Sequence, residues 1–212
     1  MNTSEKKPGI RKRFFAWVLR KADFINYRIY EGYKKELFVD LKGTVVEVGP
    51  GTGINLAFLN SVNEWIGIEP NKAFHDQLRE VAKRRGIAAK ILVGNAENLP
   101  IADAVADAVI CTLVLCSVGD PFRSVSEMKR ILKQGGKLIF IEHVAAPSNT
   151  GLRTFQNIFN PLNKLVADGC NCNRETWTAI EQCGFTKLSL VHHSVNEMFR
   201  LHRPHIMGYA IK

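Results

Sequence analysis

Apolar runs of four to seven residues alternate with helical periodicities along the chain, and their order predicts strands and helices in turn. Val45-Val46-Glu47-Val48 is a run of β-formers that ends in Gly49-Pro50-Gly51-Thr52-Gly53, after which a helical pattern opens at Ile54 and is expected over about 55–60. Trp65-Ile66-Gly67-Ile68 reads as a second strand that delivers Glu69-Pro70. Asn71 is the expected N-cap of a helix through Arg85, closed by Gly86. Strands are predicted over 88–93, 106–111 and 137–142, the last delivering Glu142-His143, with a helix between the last two that opens at Asp120-Pro121 and is ended by Gln134-Gly135-Gly136. Residues 144–183 break the alternation. They are read as an insertion with a helix over 153–166 bent near Pro161, a turn at Asp168-Gly169-Cys170, and a further helix capped by Asn173 that holds Trp177. Two last strands, 187–193 and 206–211, complete an α/β sheet whose strand ends share one edge, where ligands bind in such folds.

The N-terminal 38 residues differ in character from the domain expected over 39–212. They carry ten Lys or Arg against four acids, a net of +6 out of +9 for the 212-residue chain. Residues 1–12 are expected to be disordered, and from Phe14 an apolar stripe runs through Trp17, Val18, Ala22, Ile25 and Ile29. This stripe either covers the cofactor side of the domain or lies on an anionic membrane surface. No spanning helix is expected, because the longest apolar run, 104–118, contains Asp107 and falls short of the roughly 20 residues required. Five cysteines without C-x-x-C spacing read as free thiols in a reducing compartment, so a cytoplasmic protein with peripheral membrane contact is expected. Oligomeric state is left open, and nucleic acid is not an expected partner.

Chemistry concentrates in the glycine turn. Glycine permits positive φ and lets a ligand approach the backbone. Gly49, Gly51 and Gly53 form G-x-G-x-G, whereas a dinucleotide fingerprint needs its third glycine where Ile54 stands. A nucleotide-like cofactor without a pyrophosphate fits better, and Glu69, twenty residues after Gly49, is at the distance that reaches ribose hydroxyls. Strand, glycine turn, helix, strand and acid together resemble the class I methyltransferases, which bind S-adenosylmethionine. The resemblance implies a Rossmann-like, seven-stranded, mostly parallel sheet with a reversed C-terminal strand and helices on both faces. It places the cofactor against Glu47, Gly49, Gly51, Gly53, Asn55, Glu69, Pro70, Asn95, Ala96, Glu97, Thr112 and Leu113. Asn95 stands where that family usually has an adenine-binding aspartate; an amide oxygen still accepts the bond, without charge.

A narrower resemblance rests on Cys111-Thr112-Leu113-Val114-Leu115-Cys116-Ser117-Val118, Glu142-His143-Val144-Ala145-Ala146, Asp168-Gly169-Cys170-Asn171, Arg174-Glu175-Thr176-Trp177 and Arg203-Pro204-His205-Ile206. These are similar to the small-thiol S-methyltransferases, which implies methyl transfer to alkyl thiols or hydrogen sulfide. A thiol is only partly ionised at neutral pH, so a base is expected, His143 first and Asp168 second. Tyr27, Cys116 and Trp177 are expected in the substrate pocket. No metal is expected: Cys170-Asn171-Cys172 lacks a second ligand pair, Glu142-His143 lacks a third ligand, and His192 and His193 point to opposite faces of a strand. The alternatives are a methyltransferase acting on a phospholipid amine or other small acceptor, a Rossmann oxidoreductase, and a non-enzymatic lipid- or nucleic-acid-binding protein.

Overall fold

The computed structural model describes residues 9–212, apart from the side chain of Arg11. Lys6, Lys7 and the disorder expected over residues 1–8 lie outside the described residues. The sheet has seven strands in the order β3-β2-β1-β4-β5-β7-β6, comprising β1 (Gly43–Val48), β2 (Val62–Ile68), β3 (Ala89–Leu92), β4 (Ala106–Thr112), β5 (Leu132–His143), β6 (Lys187–Ser194) and β7 (Pro204–Ile211). The first five are parallel, and β7 runs antiparallel between β5 and β6. This is the mostly parallel sheet with a reversed C-terminal strand that the class I resemblance implies.

Parallel strands are buried on both faces, which is why these segments read as unbroken apolar runs. Neighbouring residues divide between two cores. Val45, Ala108 and Ile139 pack with Leu56, Phe58, Trp65 and Leu78 on the face covered by α1 (Ile10–Phe38) and α2 (His75–Arg84). Val46, Val109 and Phe140 pack with Val125, Met128 and Ile180 under α3 (Pro121–Ile131) and α5 (Trp177–Gln182). Each fully buried large apolar side chain contributes about 1.5–3 kcal/mol. The polar groups inside these layers therefore require a separate reason.

Several boundaries differ from the sequence reading, each for a local reason. The segment after the glycine turn is a short 3-10 helix, Ile54–Phe58, because the chain turns out at Leu59 into extended backbone. Asn71 does cap, accepting from Ala73 N–H, but what it caps is a 3-10 turn leading into α2. Gly135-Gly136 does not separate α3 from β5. It forms a bulge inside β5, where Ala106 pairs with Leu132 and Ala108 with Lys137. Asn173 caps nothing; its side chain donates to Asn157 Oδ1, and α5 begins four residues later at Trp177.

The N-terminal helix corrects two readings. It begins at Ile10, so residues 10–12 are helical rather than disordered. Its inward side is Ala16, Tyr30, Lys34 and Phe38, all buried, whereas Phe14, Trp17 and Ile25 of the predicted stripe are 63%, 53% and 59% exposed. The inward side crosses the glycine turn, where Thr52 Oγ1 donates to Asp23 at 2.7 Å. Helix α4 (Gly151–Val166), from the insertion, has the reverse of ordinary amphipathicity. Gln156 and Asn163 are buried, and Ile158, Leu162, Leu165 and Val166 face outward. Gln156 explains its burial, accepting from Ala146 N–H and donating to the carbonyls of Val144 and Leu201.

Candidate active site

The glycine turn joins β1 to the sheet edge in a conformation that only glycine adopts cheaply. Gly49, Gly51 and Gly53 have φ of 65°, 54° and 82°. A side chain at Gly49 would strike Val114 at 2.6 Å and one at Gly53 would strike Leu78 at 2.9 Å, whereas space beside Gly51 is open within 4 Å. Gly49 and Gly53 thus serve packing, and Gly51 leaves room for a ligand. The Glu69 carboxylate, at the tip of β2, accepts from Gly51 N–H at 3.0 Å and Asn71 N–H at 2.8 Å. Burial pushes its pKa up while those amide bonds pull it down.

Glu47 is wholly buried and holds the turn from beneath. It accepts from Asn55 Nδ2 at 2.8 Å and from Trp65 Nε1 at 2.9 Å, so both carboxylate oxygens are spent within the protein. Desolvation raises its pKa to about 7 against these donors. The nearby Lys34, buried between the rings of Tyr30 and Phe58, is pushed down to about 8 by the same loss of water. Asn55 Nδ2 also reaches Thr112 Oγ1 at 2.9 Å, tying the turn to β4, and Asn55 Oδ1 is buried with no partner among the described residues.

The remaining predicted cofactor residues line the same strand edge. Asn95 is exposed in the loop after β3, bridged to Asn98, beside buried Ala96. Glu97 accepts from Gly119 N–H at 2.7 Å. Leu113 takes a positive φ of 58°, and Pro70 is exposed next to Glu69. S-adenosylmethionine fits this set: it has no pyrophosphate, an open approach exists at Gly51, an acid stands at Glu69, and a buried acceptor on Asn55 awaits a donor.

Two residues past Val114, which abuts Gly49, the chain places Cys116. Cys116 is buried with His143, from the tip of β5, and Cys170, from the turn after α4, and their ligating atoms lie within 4.8 Å of one another. The Cys170 thiol is 2.9 Å from His143 Nε2. Glu142 is not part of this group: where the sequence reading looked for a third ligand to Glu142-His143, the structure sets His143 beside two cysteines, and Cys172 turns away to Asn160. The contact with the Cys170 thiol, with His143 close by, holds the Cys116 thiol well below its usual range despite burial. Burial opposes charge on His143 as well, and the Cys116 and Glu142 charges outweigh it, leaving its pKa raised.

The cluster is rigidly framed. Asn171 donates from both backbone and side chain to Cys116 O, and Arg174 Nη1 donates to Leu115 O and Val118 O. Glu142, buried, accepts from Val114 N–H at 2.8 Å and Leu115 N–H at 3.1 Å. Asn163 Nδ2 donates to Cys170 Sγ at 3.3 Å, and Asn163 Oδ1 accepts from His202 Nε2 at 2.9 Å. Tyr30 OH bonds His205 Nε2 at 2.8 Å. His143 Nδ1 is buried with no partner among the described residues.

Asp168 sits two residues before Cys170 with φ of 46°. Tyr27 is on the glycine-turn side, stacked on Phe58 at 5.1 Å, and Trp177 packs edge-on against His192 behind the sheet; neither joins the cluster. Sequence reasoning missed Cys170 as the partner of His143, and Asn163 and Tyr30 as the residues that hold the thiol and histidines around it. Only the unusual Asp168-Gly169-Cys170-Asn171 segment signalled one of them. A separate cleft of about 460 Å³, lined by Leu41, Asp107, Lys133 and Gly136, lies at the other end of the strands and holds none of the predicted site residues.

Residues 46–140 match the family described as "Methyltransferase domain". The human thiol S-methyltransferase TMT1A is 37% identical over 96% of this chain and 88% of its own length. The rat thiol S-methyltransferase TMT1B is 36% identical over the same shares. Among solved structures, an S-adenosylmethionine-dependent methyltransferase from Thermotoga maritima superposes with a TM-score of 0.67 at 20% identity, covering 95% of this chain and 99% of that one.

Proposed function

The chain belongs to the thiol S-methyltransferase family of S-adenosylmethionine-dependent methyltransferases, and from that premise we propose that it methylates the sulfur of a small alkyl thiol or hydrogen sulfide. One observation carries the choice of a sulfur acceptor. The polar group past Val114, at the ends of β4 and β5, is a Cys116–His143–Cys170 cluster, with the His202 ring 5.1 Å from His143, and its two sulfurs make it a soft, thiol-lined environment suited to a sulfur acceptor.

S-adenosylmethionine supplies an activated methyl and a good leaving group, so the protein's work is placement, proton removal and exclusion of water. Glu69 and the Gly51 backbone hold the nucleoside end, with Asn55 and Thr112 shaping the floor. The acceptor loses its proton at the cluster, with His143 as the contacting group and Asp168, two residues before Cys170, as the second candidate. Helix α1 above the turn and α4 above the cluster shield the reacting sulfur. Transfer of labelled methyl from S-adenosylmethionine, screened across thiols, phenols, amines and phospholipids, tests this reading; absence of transfer to any thiol would sink it.

No helix among the described residues is long and apolar enough to cross a membrane. We propose instead that the outward face of α1, with Phe14, Trp17 and Ile25 between Lys12, Arg13 and Lys21, rests on an anionic bilayer surface.

A further inference from the structure

Cys116, His143 and Cys170 are each 27 residues from the next in sequence and reach the same point from three separate elements. We propose that together they bind one soft divalent cation of the Zn²⁺ class, through two thiolates and an imidazole. The donor set carries the identity: two sulfurs and one nitrogen select zinc or a similarly soft ion over magnesium or calcium, which take oxygen ligands. Three protein ligands with a fourth position left over is the arrangement of catalytic zinc, whereas structural sites are closed by four.

The geometry is near what such an ion needs. With Zn–S of about 2.3 Å and Zn–N of about 2.0 Å, tetrahedral ligands stand roughly 3.5 Å apart. The three donor atoms lie within 4.8 Å of one another, and the Cys170–His143 edge is 2.9 Å. That edge has to open by about 0.6 Å for the ion to enter, well within the reach of side-chain rotation on fixed backbone. Neighbouring groups are already placed as a bound ion requires. Asn163 Nδ2 donates to the Cys170 sulfur, an orienting contact that steadies a thiolate ligand, and Asn163 is itself fixed by His202. Neither His202 nor His205 joins the three atoms that lie within 4.8 Å of one another, and their Nε2 atoms are bonded to Asn163 and Tyr30. The fourth position is therefore free for an external sulfur.

What would fill that position rests on the thiol reading above; the ion site itself does not. An acceptor R–S–H would form a sulfur–metal bond as its S–H bond breaks, and the proton leaves to solvent, the bound ion then taking over from the His143 imidazole the task of favouring the thiolate. The resulting thiolate keeps the electron pair that forms the new S–CH₃ bond, while the old sulfonium–CH₃ bond breaks and returns its pair to the donor sulfur. Nothing is oxidised or reduced.

The test is Co²⁺ titration of chelator-treated, full-length protein under reducing conditions. One equivalent should bind with intense visible bands and a near-ultraviolet thiolate-to-metal band, and Zn²⁺ should displace it. Cys116→Ser and Cys170→Ser should each weaken binding at least tenfold, while His143→Cys, which supplies a third thiolate, should keep it even if it impairs turnover. Binding of S-adenosylmethionine by each variant confirms folding. A folded wild-type protein with no thiolate-to-metal band, or Co²⁺ affinity unchanged in the two serine variants, would overturn the site. Full thiol methylation by metal-free protein would overturn the assignment of the fourth position to the acceptor sulfur and leave the proposed function standing. One-to-one Co²⁺ binding without methylation of any thiol would do the reverse.

Discussion

The carboxylate of Glu69 accepts a hydrogen bond from the backbone N–H of Gly51 at 3.0 Å, linking the tip of β2 to the middle of the glycine turn. One side chain thus sets the position of the turn and presents a charged acceptor to whatever lies against it. A hydrogen bond to a charged group is worth about 1.5–3 kcal/mol. Glu69→Ala is expected to weaken S-adenosylmethionine binding by roughly ten- to a hundredfold, with the thiol KM moving little. Calorimetric titration with the cofactor alone checks this, and unchanged affinity would remove Glu69 from the site.

Gly49 and Gly51 are expected to respond differently to alanine. Both have positive φ, costing any side chain about 1–2 kcal/mol. At Gly49 the new methyl also meets Val114 at 2.6 Å, whereas at Gly51 it enters open space. Gly49→Ala should lower the melting temperature more, and Gly51→Ala should lose more cofactor affinity relative to its stability loss. Equal stability losses and equal affinities would refute the assignment of Gly51 to the ligand.

Buried Glu47 and Lys34 give stability a specific pH profile. Glu47 is raised from 4.5 to about 7, so the folded state holds its proton more tightly, and this contribution is full below pH 4.5 and lost as pH rises through about 7. At 1.36 kcal/mol per unit the change amounts to about 3 kcal/mol. Lys34 is lowered from 10.5 to about 8, so its contribution is full above pH 10.5 and lost as pH falls through about 8. Together they place their least favourable range between about 7 and 8. Urea midpoints measured from pH 5 to 10 should show a flattened acid limb in Glu47→Gln and a flattened alkaline limb in Lys34→Met. Limbs that match the wild-type protein in both variants contradict this account.

Loss of the cluster should affect turnover rather than cofactor binding. His143→Ala is expected to lower kcat for thiol methylation by about 10²- to 10⁴-fold, while S-adenosylmethionine affinity stays within a factor of a few. Steady-state kinetics with a small alkyl thiol decide it; a wild-type kcat would mean that His143 only fills space.

The outward face of α1 is expected to govern vesicle binding. Phe14→Ser with Trp17→Ser should reduce flotation with anionic vesicles by tenfold or more, because each ring contributes on the order of 1.5–3 kcal/mol when buried in the interface. Thiol methylation in detergent-free solution should be unaffected. Equal flotation of variant and wild-type chains would rule this face out.

Much of the fold was legible in the residues. Parallel strands buried on both faces have no polar side to interrupt them, so 45–48, 65–68 and 106–111 stood out as apolar runs. Gly49, Gly51 and Gly53 announced themselves because few residues adopt positive φ, and Glu69 followed from its spacing. Helix α1 shows where periodicity falls short. An apolar stripe does not say which side meets the domain, and the inward face is built partly from Tyr30, Lys34 and Asp23, which periodicity counts as polar.

By itself, then, the sequence determined the order of strands and helices, the cofactor turn and the acid beside it, because these depend on contacts local in the chain or on spacing along it. Tertiary structure alone decided the company of His143. Cys116 and Cys170 meet it, and Asn163 and Tyr30 hold the thiol and histidines around it, only because β4, β5, the turn after α4 and the middle of α1 converge at one edge of the sheet. No local rule relates residues that far apart, so a lone histidine in the sequence became a three-ligand cluster only on folding.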